Sequence, residues 1–340
     1  MGGYPELTTG VLSTIGATPL VQLTRIFPDN SVRTYAKLEL ANPGGSIKDR
    51  SAYVMLAGAI RAGQVVPGRS VIVESSSGNL GIGLAQACRY FDVRFICVVD
   101  PRTNAQSIAI MRAFGAQVET VTTRDPATGE YLPVRIRRVQ ELVATLPGAW
   151  CPNQYANPRN ALAHRATMRE IVEALDGQVD YVFCATSSCG TLRGCAEFVR
   201  ECGLPTRIVA VDAEGSAIFH TPTGQRLIPG HGAAVRPALH RPGLADEVVH
   251  VSDLESVVGC RRLAAREAIL AGGSSGAVVS ALDRIRHRIP AGSICALVLP
   301  DRGERYLDSV YDDAWVAQHF GDVTQLWKDD PVEVALADHQ

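Results

Sequence analysis

Val71-Ile72-Val73 runs directly into Glu74-Ser75-Ser76-Ser77-Gly78-Asn79-Leu80-Gly81, and a helical pattern continues from there to residue 91. Three β-branched residues in a row read as a short strand. The serines and the glycine then make a tight polar turn that caps the helix. Strand, turn and helix in this order form the repeating unit of a parallel sheet. In such a unit, ligands sit at the carboxyl end of the strand, where the backbone N–H groups of the helix start can hold an anion. Taken alone, the stretch reads equally well as an ordinary serine-rich cap.

The same alternation extends in both directions. Further strands are expected at 35–40, 93–99, 117–122, 180–185, 207–212, 248–251 and 294–299. Helices are expected at 49–63, 104–114, 133–146, 160–175, 190–202, 254–270 and 276–288. Val93-Arg94-Phe95-Ile96-Cys97-Val98-Val99 and Ile294-Cys295-Ala296-Leu297-Val298-Leu299 are apolar with little alternation, as suits strands covered on both faces. The fold class is therefore α/β with parallel-rich sheets. Length agrees: 340 residues is room for about two domains. With 46% apolar and 20% charged residues, the chain can bury full cores and carries no signature of disorder.

Composition also excludes function classes. A formal net charge of −2 gives no general grip on nucleic acid or an anionic membrane. No apolar run reaches the length of a membrane span, and Met1-Gly2-Gly3-Tyr4-Pro5-Glu6 lacks the layout of a signal peptide, so the expected compartment is the cytoplasm. The 9 cysteines contain no Cys-x-x-Cys pair, which argues against a structural zinc site or a disulfide framework; no metal is expected. Of the 33 basic residues only Lys37, Lys48 and Lys328 are lysines, so lysine chemistry has few places to reside.

Three more loops lie at strand-to-helix or helix-start positions. Asn42-Pro43-Gly44-Gly45-Ser46-Ile47-Lys48-Asp49-Arg50 places a lysine at a helix start, where the dipole disfavours an ammonium and favours an amine acting as nucleophile or base. The plainer reading is a solvated lysine in a turn. Thr186-Ser187-Ser188-Cys189-Gly190-Thr191 follows a strand and opens a helix, a cradle for a single phosphate group. Gly-x-Gly-x-x-Gly and Walker patterns are absent, which speaks against a nicotinamide dehydrogenase or a nucleoside-triphosphate enzyme. Ala271-Gly272-Gly273-Ser274-Ser275-Gly276 is a glycine-rich helix start with little specificity of its own.

Taken together and in this order, the four loops resemble those of the fold type II pyridoxal-phosphate enzymes, the cysteine synthase and cystathionine β-synthase family. The resemblance covers about residues 11–315, opening with Ile15-Gly16-Ala17-Thr18-Pro19-Leu20 and closing with Leu299-Pro300-Asp301-Arg302-Gly303-Glu304-Arg305-Tyr306-Leu307. It implies a two-domain, tryptophan-synthase-β-like architecture: a small mobile domain at 45–155, a large cofactor-binding domain from 1–44 and 156–320, and a C-terminal tail at 321–340. It implies pyridoxal 5′-phosphate as cofactor and a homodimer as the usual state. By the same carry-over, Lys48 is the Schiff-base lysine and Asn79 lies beside the pyridine ring. Ser187, Ser188, Cys189, Gly190 and Thr191 hold the phosphate, and Ser274 faces the pyridine nitrogen. Ser76, Ser77, Asn79 and Gln154 bind the substrate carboxylate. A serine at the ring nitrogen, in place of a carboxylate, favours β-elimination and replacement over transamination.

Within that family, Leu80, Tyr155, Arg302 and the Ser187–Thr191 loop depart from an ordinary cysteine synthase. Gly-Gly-Ser-Ile-Lys-Asp-Arg, Ser-Ser-Gly-Asn-Leu-Gly-Ile, Asn-Gln-Tyr-Ala-Asn and Leu-Pro-Asp-Arg-Gly-Glu-Arg-Tyr-Leu-Asp are similar to the N-(2-amino-2-carboxyethyl)-L-glutamate synthases of 2,3-diaminopropionate and siderophore biosynthesis. Arg135 to Leu142 resembles that subgroup too, whereas Gly230-His231-Gly232 departs from the usual apolar residue between the glycines. The implied reaction joins O-phospho-L-serine to L-glutamate, with Lys48 as general base and ping-pong kinetics. Arg302 and Arg135 are the candidate cations for phosphate and carboxylate, Arg135 being helped by Tyr155 and Ser187. The alternatives are a cysteine synthase using O-acetylserine or O-phosphoserine with sulfide, a serine or threonine deaminase, and a non-enzymatic scaffold. Retention of Lys48, Asn79 and Ser274 together argues against the last.

Overall fold

A computed structural model describes residues 9–328, apart from Pro28, Asn30, Thr128 and 220–222. The chain opens with β1 (Leu20–Leu23) and β2 (Arg33–Leu38), then enters α1 (Lys48–Arg61). It continues through β3 (Val71–Ser75), α2 (Asn79–Tyr90), β4 (Arg94–Val99), α3 (Ala105–Ala113), β5 (Gln117–Thr120), α4 (Leu132–Thr145) and β6 (Ala149–Trp150). After α5 (Pro158–Ala174) come β7 (Tyr181–Ala185), α6 (Gly190–Glu201), β8 (Arg207–Ala213) and β9 (Glu247–Val251). The last elements are α7 (Asp253–Glu267), α8 (Gly273–Ile285), β10 (Ile294–Leu299), α9 (Asp313–Phe320) and α10 (Gln325–Lys328).

These strands form two sheets. The smaller runs β5-β4-β3-β6 and is parallel throughout, with Val73 opposite Ile96. The larger runs β1-β2-β10-β7-β8-β9; every pair is parallel except β1 with β2. Each sheet is covered on both faces, which explains strands with little alternation. On the small sheet, Ile72 and Cys97 pack with Met55 and Leu84 of the helices on one side, and Val73 and Val98 with Val139 and Leu142 of α4 on the other. On the large sheet, Phe183 and Leu297 join Val278 and Leu282 of α8, whereas Val182 and Val298 join Met168 of α5 and Leu192 of α6.

The expected strands and helices are present to within a few residues. Two strands escaped the sequence reading. β1 is a four-residue antiparallel edge, and β6 has two residues and exists only by pairing with β3. Neither is long enough to show a period. The helix expected from 276 begins at Gly273, because Gly276 is not a start signal but a crossing point. A Cβ there would run into the Ser256 carbonyl of α7, and one on Gly259 would run into Gly276. Beyond Gly321 the chain stays on the body. Trp327 of α10 is buried in a cluster with Val257, Tyr306, Val310 and Val316, and residues 329–340 lie outside the described set.

A buried ionic network ties the first loop to the large sheet. Arg50 donates to Glu39 at 2.7 and 2.8 Å and to Glu170 at 2.7 Å, and Lys37 donates to Glu170 at 2.6 Å and to the Thr18 carbonyl at 2.5 Å. Lys37, Glu39 and Arg50 are all nearly inaccessible to water. This network anchors the first turn of α1, two residues from Lys48.

Candidate active site

One cleft is lined by Lys48, Asn79, the Ser187–Thr191 loop, Gly230 and Ser274. It collects the N-termini of α1, α2, α6 and α8. Four helix starts aimed at one space make it electropositive, and none of the lining residues is an acid.

Lys48 is the first residue of α1 and is partly buried. Burial lowers its pKa, and the charge of Asp301 restores only part of the loss. Among the described residues it makes no ion pair within salt-bridge distance. A lysine held this way gives up its proton more readily than a solvated one.

The 187–191 loop turns sharply into α6. Cys189 adopts a left-handed backbone (φ +63°), which an L residue tolerates at about 1 kcal/mol or more. Ser188 Oγ accepts from Asn160 Nδ2 at 3.0 Å and from the Gly190 N–H at 3.4 Å, and the Asn160 amide fills the space a Cβ on Gly190 would need. Burial pushes the Cys189 thiol up to about 12, so the loop presents no negative charge. Ser274 is buried at the start of α8 and faces Gly230.

Asn79 opens α2 and is clamped from the large sheet. Its Nδ2 donates to Asp301 Oδ2 at 2.7 Å, and its Oδ1 accepts from Arg305. Asp301 also accepts from the Tyr306 hydroxyl at 2.7 Å, while its Oδ1 has no partner. Burial raises the pKa of Asp301 despite the bonds from Asn79 and Tyr306 and the charges of Arg305 and Lys48. Asp301, Arg305 and Tyr306 belong to the closing motif, where residue type alone assigns them no role.

Ser76 Oγ accepts from the Gly81 N–H at 2.9 Å and the Gly78 N–H at 3.5 Å, so it caps α2 and has only its hydrogen left to offer a ligand. Ser77 is exposed. Gln154 is buried in the turn before α5, and Tyr155 is exposed beside it. Glu74 underlies this turn. Its Oε1 accepts from the Ser75 N–H at 3.0 Å, and the backbone N–H groups of Gln154 and Asn153 also favour its anion, yet burial pushes its pKa up to about 7.

The two candidate arginines part company. Arg135 lies in α4 with its side chain 12% exposed, 3.3 Å from Asp100 Oδ2, and its Nε makes no hydrogen bond. Its charge acts on both Cys97 and Tyr155. Arg302 is exposed and donates from Nε to the Leu40 carbonyl at 2.9 Å; neither of these arginines is among the residues lining the cleft. The arginine that reaches Asn79 and the Gly44 carbonyl (2.6 Å) is Arg305, one turn later. The spacing held the signal: a short 3-10 turn, Gly303–Tyr306, turns residues 305 and 306 inward together.

Among the described residues no cluster could hold a metal ion, and no helix is long and apolar enough to cross a membrane. The model of the family "Pyridoxal-phosphate dependent enzyme" matches residues 11–301. An N-(2-amino-2-carboxyethyl)-L-glutamate synthase of Ralstonia nicotianae is 46% identical over 313 residues, 92% of each chain. A synthase of the same name from Cupriavidus metallidurans is 43% identical over 312 residues, 91% of each. Among solved structures, an O-ureido-L-serine synthase superposes with a TM-score of 0.81 at 31% identity, covering 92% of this chain and 99% of that one. An O-acetylserine-dependent cystathionine β-synthase from Helicobacter pylori gives 0.81 at 30% identity, covering 89% and 98%.

Proposed function

The chain belongs to the pyridoxal-phosphate-dependent enzyme family, and from that premise we propose that it joins O-phospho-L-serine to L-glutamate. The products are N-(2-amino-2-carboxyethyl)-L-glutamate and phosphate. The observation that carries this reading is the likeness, over nine-tenths of the chain, to two synthases of that product.

The residues present fit the cofactor. The cleft has an amine of lowered pKa, an uncharged hydroxyl-rich helix start for a phosphate, and a serine in place of an acid at the start of α8. Lys48 would hold the aldehyde carbon, Asn79 the ring oxygen, Ser187–Thr191 the phosphate and Ser274 the ring nitrogen. When bound, pyridoxal phosphate supplies an electron sink that acidifies the substrate's Cα–H and lets the β substituent leave.

The chain's own residues do the rest. Ser77, Gln154 and the remaining hydrogen of Ser76 hold the donor's carboxylate at the positive end of α2. The Lys48 amine takes the Cα proton and later returns it, a role that its lowered pKa favours. The Cβ–O bond breaks and phosphate departs with the electron pair. The glutamate nitrogen forms the new bond to Cβ and loses a proton. Arg135, with Tyr155 and Ser187, holds one glutamate carboxylate, and Arg305 replaces Arg302 as the cation nearest the departing phosphate. Closure of a mobile 45–155 domain over the cleft would keep water from the reacting carbon. In this reading the enzyme is a cytoplasmic homodimer, and its product leads toward 2,3-diaminopropionate for a siderophore of the staphyloferrin B kind.

The test offers the holoenzyme O-phospho-L-serine with L-glutamate and sulfide together, resolving products by mass spectrometry. The glutamate adduct in excess over cysteine is expected. Cysteine as the dominant product would instead make this a cysteine synthase.

A further inference from the structure

Glutamate brings two carboxylates, and the reading above gives a cation to one of them. The segment between β8 and β9 offers a second. Gly232 N–H donates to the Thr186 carbonyl at 2.6 Å, and Leu239 N–H donates to the Tyr155 carbonyl at 3.0 Å. The segment therefore spans from the end of β7, beside the phosphate loop, to the Gln154–Tyr155 turn, and its Gly230 lines the cleft.

Arg226 lies on this segment. Its Nη1 donates to the His231 carbonyl at 3.2 Å, and among the described residues no carboxylate pairs with it. It is half-buried. The Arg226 guanidinium lies against His231 and Gly232, and the Gly232 N–H is bonded to the residue that precedes the phosphate loop. The charges of Arg135, on α4, and Arg226, on this segment, both favour the ionised form of the Tyr155 phenol. Next to Arg226, His231 is buried with neither ring nitrogen hydrogen-bonded. Buried polar groups ordinarily find partners, and a bound ligand is one way an exception arises. Sulfide would need no such pair of cations; a dicarboxylic amine needs both.

We infer that Arg226 binds the second carboxylate of the amine substrate, complementing Arg135. This rests on the glutamate reading and adds a specificity residue to it. The experiment measures holoenzyme turnover with O-phospho-L-serine and, in turn, L-glutamate, L-glutamine and 4-aminobutyrate. The two analogues each lack one carboxylate charge of glutamate. Arg226→Gln is expected to raise the KM for glutamate tenfold or more while the KM for O-phosphoserine moves less than twofold. It should also collapse one of the two discrimination ratios, and Arg135→Gln the other. Arg226→Lys, which keeps the charge and loses the fork, should fall between wild type and Arg226→Gln, and it guards against a misfolded variant. A glutamate KM and both ratios within twofold of wild type in the two Arg226 variants would overturn the inference and leave the glutamate reading standing. A wild-type enzyme that uses sulfide and no glutamate would overturn both.

Discussion

Lys37 and Lys48 are eleven positions apart, both withdrawn from water, and opposite in character. Lys37 has a carboxylate at 2.6 Å and a carbonyl at 2.5 Å. Its partner Glu170, despite burial that would raise its pKa, is drawn down to about 2 by Arg50 and Lys37. Lys48 has no partner at such a distance, and burial lowers its pKa. A buried lysine with its counter-ion in place is a strut; without one it is a base. The difference extends to their surroundings. Every charge in the Lys37–Glu39–Arg50–Glu170 network is matched, whereas around the cleft Asp301 Oδ1, Arg135 Nε and both ring nitrogens of His231 make no hydrogen bond.

The largest effect should come from exchanging the two roles. Lys48→Ala is expected to lower kcat by about 10³-fold or more, at the upper range of general acid–base contributions, with stability nearly unchanged. Lys37→Met should leave the chemistry and remove about 2–3 kcal/mol of stability. That is below the 3–5 kcal/mol usual for a broken buried pair, because Arg50 still neutralises Glu170. Steady-state kinetics and urea unfolding on both variants decide this, and a loss of stability in Lys48→Ala equal to that in Lys37→Met would erase the contrast.

A smaller effect sharpens the same contrast through pH. Glu74 is buried without a cation, and its folded pKa of about 7 lies above its unfolded value of 4.5. Between those values the native state holds the extra proton, so Glu74 lowers stability as pH rises from about 4.5 to 7, by roughly 3 kcal/mol at most. Glu74→Gln should remove that part of the slope. Asp49, also pushed up to about 7, and His231, held down near 4, contribute to both proteins, so the difference between wild type and variant isolates Glu74. Urea midpoints at pH 5 and pH 8 read it directly. Equal slopes would mean that Glu74 is ionised in the fold.

The smallest predicted effect separates two arginines three residues apart. Arg305→Ala should cost about tenfold or more in kcat/KM, the scale of a lost charge-assisted bond, by freeing Asn79 and Gly44. Arg302→Ala should change it less than twofold, since its side chain holds only the Leu40 carbonyl at the surface. Equal losses would restore Arg302 to the cleft.

Much of this was legible along the chain. Apolar β-branched runs and capped helices identified the α/β class, because each is dictated by residues within a few positions of one another. The four polar loops stood out for the same reason: each is a local strand-to-helix transition. β1 and β6 were not legible, because they exist only through pairing with β2 and β3. Arg305 carries no sequence signal that sets it apart, because the direction of a side chain on a 3-10 turn depends on what packs beneath it. Here that is Tyr306, buried against Ile228 and Val310.

The sequence by itself determined the fold class, the lysine available for chemistry and the loops that would meet, since local propensity and residue type suffice for those. Only the tertiary structure decided which lysine is paired and which is free, which arginine bonds Asn79, and that Arg226 sits against His231 and Gly232 beside the phosphate loop. Those are facts of distance between residues far apart in the chain, and in a low-dielectric interior a few ångströms decide whether a charge is a strut, a base or a binding site.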